Sequence, residues 1–298
     1  MVKTLGEDIK KDPSDVHQEF TEVSIRIFCC RYWILDEWEC NDLRIPFWRI
    51  YHNSISGSEI FFKDETFHLD QDTLLLIPPN TSFSSRLKFK KRNEAESIQG
   101  KKFLISDDLD TIRLKGAVDH FFLHFTLGFP LDYVHAGVYK LAFNDSLTQL
   151  LMQLKAACVR DTITGLQDCL RIKQLIAECL LQLPNEIWKT GNTDPRVIKS
   201  IKYIESNFAD RISNQQLAET VNMATNSFAR LFKTNTGLAT HHYIMNMKVQ
   251  AAIHLLHHTH KSIDEISFEC GFSDRHHFSK MFKKVTRTSP SCYKKKLY

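Results

Sequence analysis

The sequence predicts an α+β chain: a small β-barrel or sandwich, then a pair of helices, then an all-α domain with two helix-turn-helix units. Short runs rich in aromatic and branched residues predict the strands, and apolar residues at a period of 3.6 predict the helices. A helical pattern that repeats itself near the C-terminus predicts the two units. The predicted segments are residues 1–144, 145–184, 185–195 and 196–298.

Four short runs predict strands in the first segment, at Phe47–Tyr51, Glu59–Phe62, Leu74–Ile77 and His120–Phe125. Clusters of Asn, Gly and Pro separate these runs, a pattern that is typical of small barrels and sandwiches. Residues 88–119 are polar and charged, and the sequence predicts a mobile loop there.

Two apolar stripes predict an antiparallel helix pair over residues 145–183. One stripe consists of Leu147, Leu150, Leu151, Leu154 and Cys158, and the other of Leu170, Leu175, Ile176, Cys179, Leu180 and Leu183. The pair either packs on the sheet or forms the seam of a dimer, and the pattern favours neither. A polar connector, Pro184–Pro195, follows and marks the predicted domain boundary.

The C-terminal segment contains the same helix-turn-helix pattern twice. Each copy begins with a capping box, in which Ser213 or Ser262 is followed three residues later by Gln or Glu. The inward apolar positions recur at a nearly constant offset, because Leu217 and Ile266 are 49 residues apart. Two matched units are a stronger signal than one, since a single unit often occurs by chance.

Charge divides the chain in a similar way. The net charge is +4, yet residues 194–298 hold 16 Lys and Arg against 8 Asp and Glu, and the remainder has a net charge of −4. A basic domain attracts polyanions, and nucleic acid is the commonest polyanion in a cytosol. A helix predicted over Thr240–Thr259 joins the two units and spans about 30 Å. Because one turn of B-DNA is about 34 Å, two recognition helices could enter successive grooves on one face.

Composition excludes several classes of protein. Gly and Pro together account for only 18 of 298 residues, which excludes collagen-like and long flexible tracts. No run approaches the roughly 18 apolar residues of a membrane span. The charged N-terminus, MVKTLGEDIKKDPSD, lacks the apolar core of a signal peptide, so we expect a cytoplasmic protein. The 8 cysteines include no CxxC pair and are expected to be reduced thiols.

Residues 194–298 resemble the DNA-binding domain of the AraC/XylS family of bacterial transcription regulators. The segments that carry the resemblance are LAETVNMATNSFARLFKTNTG, YIMNMKVQAAIHLL and SIDEISFECGFSDRHHFSKMFKKVTRTSPSCYKK. Lys248, Thr240 and Arg287 depart from the family pattern, which usually has Arg, Pro and Gly at these positions. The resemblance implies a regulator that binds double-stranded promoter DNA, and that contacts RNA polymerase if it is an activator.

Outward residues on the second helix of each unit are the candidate DNA contacts, because Phe228, Leu231 and Phe232 and their counterparts face inward. The candidates are Asn226, Ser227, Ala229, Arg230 and Lys233 in the first unit, and Arg275, His276, His277, Lys280 and Lys283 in the second. The resemblance places base contacts at Asn226, Ala229, Arg230, His276, His277 and Lys280. Arg can bond to guanine and Asn to adenine with two hydrogen bonds each. The lysines near the C-terminus predict strongly salt-dependent binding.

A histidine cluster ends the connecting helix, at His254, His257, His258 and His260. His254 and His258 are four residues apart on one helix face, as two metal ligands would be, but no carboxylate or cysteine joins them. We therefore expect solvated or DNA-facing imidazoles and no metal site.

The resemblance also implies that the N-terminal segment is a cupin-like barrel that binds an effector. TLLLIPPNTSF resembles a strand and turn of such a barrel, although Asp72 and Phe83 replace a frequent Gly and His. The histidine spacing does not match that of metal-binding cupins, so no metal, cofactor or catalytic residue is predicted. Aromatic faces and a few donors suit a sugar or another polar small molecule, and the predicted ligand residues are Trp48, Arg49, Tyr51, His68, His120 and His124.

We therefore predict a cytoplasmic, homodimeric, sequence-specific transcription regulator whose N-terminal domain senses a small molecule and which has no membrane partner. One alternative is a ligand-independent regulator that a protein partner controls, and a sealed, packed barrel would favour it. An empty polar cavity would favour the sensor. The other alternative is a cupin-type enzyme fused to a DNA-binding module, which requires metal ligands or a nucleophile with its base.

Overall fold

The computed structural model describes residues 23–88, 97–188, 194–286 and 288–295. Its strands are β1 (Arg26–Arg44), β2 (Trp48–His52), β3 (Ser58–Phe62), β4 (Glu65–Leu69), β5 (Leu74–Ile77), β6 (Ser82–Leu87), β7 (Ser97–Lys102), β8 (Val118–Thr126) and β9 (Tyr139–Leu141). Its helices are α1 (Leu109–Leu114), α2 (Asp145–Arg160), α3 (Leu166–Leu180), α4 (Pro195–Asn207), α5 (Asn214–Thr220), α6 (Thr225–Thr236), α7 (Thr240–His258), α8 (Ile263–Glu269), α9 (Arg275–Thr286) and α10 (Pro290–Lys295). The predicted α+β class is confirmed: a nearly closed antiparallel barrel is followed by a helical C-terminal region with two helix-turn-helix units.

The long strand β1 organises the barrel, because it pairs in turn with β8, β7 and β6, always antiparallel. Its register shifts at three places, between Ile27 and Cys29, between Leu35 and Glu37, and between Cys40 and Leu43. Such irregularities bend a strand and increase its twist. The 19 residues of β1 therefore curve across the sheet, whose strand order is β4-β3-β6-β1-β8-β2-β5-β9.

Residues 88–119, within which a mobile loop was predicted, form a strand and a short helix in the part that the structure describes; the prediction is untested at residues 89–96, which lie outside that part. Strand β7 pairs with β1 there, and α1 follows, capped by the Asp108 carboxylate, which accepts the N–H of Thr111. Neither element needs an apolar stripe, because β7 gains its stability from backbone pairing and α1 buries only Ile112. Because these two elements lack an apolar stripe, their polar composition predicted a loop instead of a strand and a helix.

The helix pair packs on the barrel through most of the predicted stripes. Leu147, Leu154 and Leu175 are completely buried, in the same apolar core as the inner strands. Leu170 was predicted to belong to the second stripe but is 56% exposed. It lies two residues before the buried Ile172, which is about 200° around the helix axis, so it points to the opposite side.

A buried ion pair joins α2 to the barrel. The Asp119 carboxylate is completely buried and lies 3.3 Å from Lys155 Nζ, whose side chain is 12% exposed. The same carboxylate accepts the Tyr32 hydroxyl at 2.9 Å and the backbone N–H groups of Ser54 and Ile55. Burial by itself would raise the pKa of Asp119, but Lys155 and these N–H donors outweigh it and hold the pKa below its ordinary value.

Side chains from four strands meet inside the barrel. The Trp38 ring lies 4.4 Å from the His120 ring, and the guanidinium of Arg49 lies 4.7 Å from the centre of the Phe83 ring. Tyr51 packs edge-on against His120 at 4.9 Å. These side chains come from β1, β2, β6 and β8, and they pack against one another inside the barrel.

The helical region contains two further cores, and each includes a residue of the barrel. Phe129, in the loop after β8, packs against the first core, which holds Phe228 and Phe232. Ile45 and Phe47, at the start of β2, are part of the second core. None of the described helices is both long and apolar enough to span a membrane.

Replacing Lys155 with Met should lower the free energy of unfolding by about 3–5 kcal/mol, because the Asp119 carboxylate would be left buried without its cation. Urea denaturation at pH 7 measures this loss. Lys102→Met is the matched control, because Lys102 pairs with Asp161, which is 83% exposed. Equal losses in the two variants would contradict the role of the buried pair.

Acidification should destabilise the fold through His52 and His120. Burial lowers the pKa of His52 to about 4 and that of His120 to about 3, from an ordinary 6.5. Below pH 6.5 the unfolded chain therefore binds protons that the folded chain does not. The free energy of unfolding should fall by up to about 1.4 kcal/mol per pH unit for each histidine.

Urea denaturation between pH 7 and pH 4.5 tests this, with His52→Gln and His120→Gln each expected to reduce the slope. His135→Gln, at an exposed position, is the control and should leave the slope as it is. An unchanged slope in both buried variants would refute the assignment.

Candidate nucleic-acid interface

Both helix-turn-helix units begin as the sequence predicts. In the first unit the Ser213 hydroxyl accepts the N–H of Gln216, whose side-chain oxygen accepts the N–H of Ser213 in return. In the second unit Ser262 and Glu265 form the same reciprocal pair. Such a box satisfies two N–H groups that a helix otherwise leaves unpaired, and so fixes the start of α5 and of α8.

The second helix of each unit buries one face and exposes the other. Phe228 and Phe232 of α6 are completely buried, and so are Phe278 and Phe282 of α9. Leu231 and Met281, also predicted to face inward, are half-buried. The opposite faces of α6 and α9 are consequently open to a partner.

The structure places the candidate DNA contacts of the first unit together on the open face of α6. Asn226, Ser227, Arg230 and Lys233 are exposed, and Ala229 is half-buried. The guanidinium of Arg230 and the amide of Asn226 are thus one helical turn apart on one surface, where they can reach base edges in a major groove.

The candidates of the second unit are also on one face, but two of them already have protein partners. Arg275, His276, Lys280 and Lys283 are exposed, and His277 is half-buried. Arg275 forms an ion pair with Asp264 of α8 at 2.9 Å. The Nδ1 atom of His277 lies 3.3 Å from the Ser273 hydroxyl.

Sequence reasoning missed the cap of α9, which is Asp274. Its carboxylate accepts the backbone N–H of His277 at 2.7 Å and the hydroxyl of Ser273 at 2.9 Å. These donors hold the pKa of Asp274 below its ordinary value. The signal was available, because Asp is a preferred residue at the position before a helix.

The expectation that His254 is solvated or faces DNA is wrong. His254 is half-buried, and its ring lies 5.3 Å from that of Phe28 in β1, so α7 packs against the barrel here. The side chains of His257 and His258 lie outside the described residues, as do Arg287 and Lys296. Within the described part of the chain, no group of three or more His, Cys, Asp or Glu side chains is placed to hold a metal ion.

A cavity of about 790 Å³ lies between the barrel and the helical region. Arg26 and Phe28 of β1 line one side, and Tyr243 and Gln250 of α7 line the other. Glu205 of α4 also reaches it, and burial raises the pKa of this carboxyl although Arg26 opposes the effect. The lining therefore combines apolar surface with a few charged and polar groups, as ligand sites do.

None of the six predicted ligand residues lines this cavity. Arg49, Tyr51, His120 and His124 are buried together inside the barrel. Trp48 instead faces the loop after β8, where its indole N–H donates to Asp132 at 2.8 Å. His68 is 61% exposed and lies 3.4 Å from the carboxylate of Glu59.

The loop after β8 packs against the first helix-turn-helix unit. Sequence reasoning did not identify this loop. The Asp132 carboxylate accepts the N–H groups of Leu127 and Gly128, and burial raises its pKa to about 6. The folded loop presents Phe129, whose ring lies 6.3 Å from that of Tyr243 at the start of α7. No pattern in the sequence indicates this long-range contact.

Comparison with known proteins agrees with this architecture. A family model described as a helix-turn-helix domain matches residues 217–296. Two curated relatives are the HTH-type transcriptional activators RhaS of Escherichia fergusonii, 34% identical over 99 residues, and of Enterobacter sp. (strain 638), 32% identical over 99 residues. Each alignment covers 33% of this chain and 36% of the relative, so the chain matches little more than a third of these proteins' length.

Solved structures show a likeness that extends beyond this region. ToxT from Vibrio cholerae superimposes on 92% of this chain and 99% of its own, with a TM-score of 0.53 and 12% identity. A ToxT structure with a bound unsaturated fatty acid gives a TM-score of 0.51 at 13% identity, and covers 93% of this chain and 97% of its own. At these identities the likeness shows the fold alone. The matched helix-turn-helix region and its RhaS relatives agree with the resemblance of residues 194–298 to the DNA-binding domain of the AraC/XylS family.

Proposed function

We propose that this protein is a sequence-specific transcription regulator that binds double-stranded promoter DNA through α6 and α9. The observation that carries the proposal is the pair of equivalent helices whose open faces hold Arg230 and Lys280, joined by the single helix α7. The 19 residues of α7 span about 28 Å. This is close to one turn of B-DNA, so both helices can enter the major groove on one side of the duplex.

We further propose that a small-molecule effector controls this binding from the cavity between the barrel and α7. Arg49 and His120 in the barrel interior pack against aromatic rings, whereas the interdomain cavity has room for a ligand and a lining that is polar in part. A ligand there would touch β1, α4 and α7 at once. It shifts the protein between states only if its affinity for them differs. ToxT, with the same fold, has been solved with an unsaturated fatty acid bound.

The proposal also covers the segments of the chain, its oligomeric state and its partners. The segments are an effector-binding region at 1–144, a helix pair at 145–184, a connector at 185–195 and a DNA-binding region at 196–298. The pair would form a cytoplasmic homodimer through its outer surface, where Met152, Leu166 and Leu170 are more than half exposed. RNA polymerase is a further partner if the protein is an activator. The proposal assigns no enzymatic role to the protein.

Selection of bound sequences from random duplex DNA tests the proposed DNA binding. We expect a motif of two short blocks of preferred DNA sequence, one for each of α6 and α9, about one turn of the duplex apart. Arg230→Ala should relax the sequence preference of one block and Lys280→Ala that of the other, because each removes contacts to base edges that are worth about 1–3 kcal/mol. Lys199→Met, at an exposed position of α4, controls for the loss of one positive charge.

The proposed DNA binding would be refuted if neither the protein alone nor the protein with candidate effectors enriched any sequence at moderate salt. Relaxation of both blocks by each variant would instead contradict the assignment of one helix to each block.

Thermal unfolding with candidate ligands tests the effector site. Sugars and an unsaturated fatty acid such as oleate are the probes, and a ligand present at 100 times its dissociation constant stabilises a protein by about 2.7 kcal/mol. Ala251→Trp should abolish the shift in Tm, because Ala251 lines the cavity and a larger side chain would fill it. Ala142→Trp, at an exposed position, should preserve the shift. A shift that persists in Ala251→Trp would place the effector elsewhere.

A further inference from the structure

The turn of the second helix-turn-helix unit touches the turn between α4 and α5, which directly precedes the first unit. Gly271 lies in the turn between α8 and α9 and has a φ of +68°, a conformation that favours glycine. A Cβ atom added at Gly271 would overlap the backbone carbonyl of Ala209, in the turn between α4 and α5. The turn of the second unit is therefore in direct backbone contact with the turn that leads into the first unit.

One buried cation from α7 joins these two turns. Lys248 Nζ donates to the carbonyl oxygen of Gly271 at 2.6 Å and lies 3.4 Å from that of Ala209, also as a donor. The residue is 8% exposed, and its ammonium is 5.9 Å from the centre of the Phe272 ring. A cation suits this place because its hydrogen bonds to the two carbonyl oxygens are charge-assisted and therefore stronger than those of a neutral donor.

Lys248 also lies at the point where α7 passes from one core to the other. Ile244, one turn earlier, belongs to the core of the first unit, and Val249 belongs to the core of the second. Each unit is stabilised by its own aromatic residues, Phe228 and Phe232 in one and Phe278 and Phe282 in the other. The lysine thus stabilises the junction of two units that each have a separate core.

We propose that Lys248 is a positioning residue that fixes the separation and phase of α6 and α9, and so determines the spacing between the two DNA blocks that the protein prefers. This inference rests on the proposed DNA binding. Helix α9 directly follows the Gly271 turn, and α6 packs on α4 and α5, which flank the Ala209 turn. An altered angle at the junction therefore moves one recognition helix relative to the other. Affinity for a two-block site requires both helices to bind at once, and it falls when the geometry of the connection no longer matches the site.

The test uses the full chain and the two-block duplex obtained by selection with the wild-type protein. Binding is measured to each block alone and to a series in which the spacer is lengthened or shortened by one base pair. Lys248→Met should bind single blocks as the wild type does, but should lose about tenfold in affinity for the best two-block duplex and show a flattened spacer series. Lys248→Arg should keep the wild-type spacer preference, because a guanidinium has enough N–H donors to bond to both carbonyls.

Lys199→Met is the matched control, since it removes the same charge from an exposed position in the same region, and it should retain the wild-type spacer preference. Thermal unfolding of each variant verifies that it is folded. If Lys248→Met does not fold, Lys248→Gln replaces it, because an amide keeps one donor in the junction without the charge, and the same flattening is expected.

An unchanged spacer preference in Lys248→Met would overturn the inference while leaving the proposed DNA binding intact. Equal losses for single blocks and for the two-block duplex would also overturn it, because Lys248 would then contribute only to folding or to a direct DNA contact. If the wild-type protein enriches no two-block motif, the proposed two-helix DNA binding fails first, and this inference fails with it.

Discussion

The packing of α7 is the interaction on which the rest of the structure depends. This single helix contributes Ile244 to the core of the first helix-turn-helix unit, and Val249 and Ile253 to the core of the second. It also meets the barrel at both ends, where Tyr243 contacts Phe129 and His254 contacts Phe28. Neither unit could bury its apolar side without α7, so one element fixes both units with respect to each other and to the barrel.

The two contacts between α7 and the barrel explain why a cavity lies between them. Phe129 is held by a loop that the buried Asp132 carboxylate closes, and Phe28 is held by β1. The barrel thus supports the helix at two separated places, and the space between them is lined from both sides. Under the proposed function, a ligand in this space would contact the helix that positions α6 and α9, and so would have a short physical path to the DNA.

The helical C-terminal region could be predicted from the sequence in considerable detail. Its capping boxes, its two turns and the inward Phe228, Phe232, Phe278 and Phe282 are all local patterns, and local patterns survive in the fold because a short helix buries the stripe that it carries. The barrel was less predictable. The runs around β2, β3, β5 and β8 are apolar enough to be recognised, but β1 and β7 are mixed in polarity. Their strand character comes from backbone pairing, of β1 with β6, β7 and β8 and of β7 with β1.

The sequence by itself therefore determined the α+β class, the helix pair and the two recognition helices with their exposed basic side chains, because these depend on the periodicity of nearby residues. The tertiary structure decided that Arg49 and His120 are surrounded by aromatic rings, that Trp48 and His68 lie apart from them, and that Arg26, Glu205 and Tyr243 face one cavity. It also decided that Lys248 reaches the carbonyls of Ala209 and Gly271. These contacts join residues that are far apart in the chain, and the pairing of distant surfaces depends on how whole elements pack together, which no local pattern specifies.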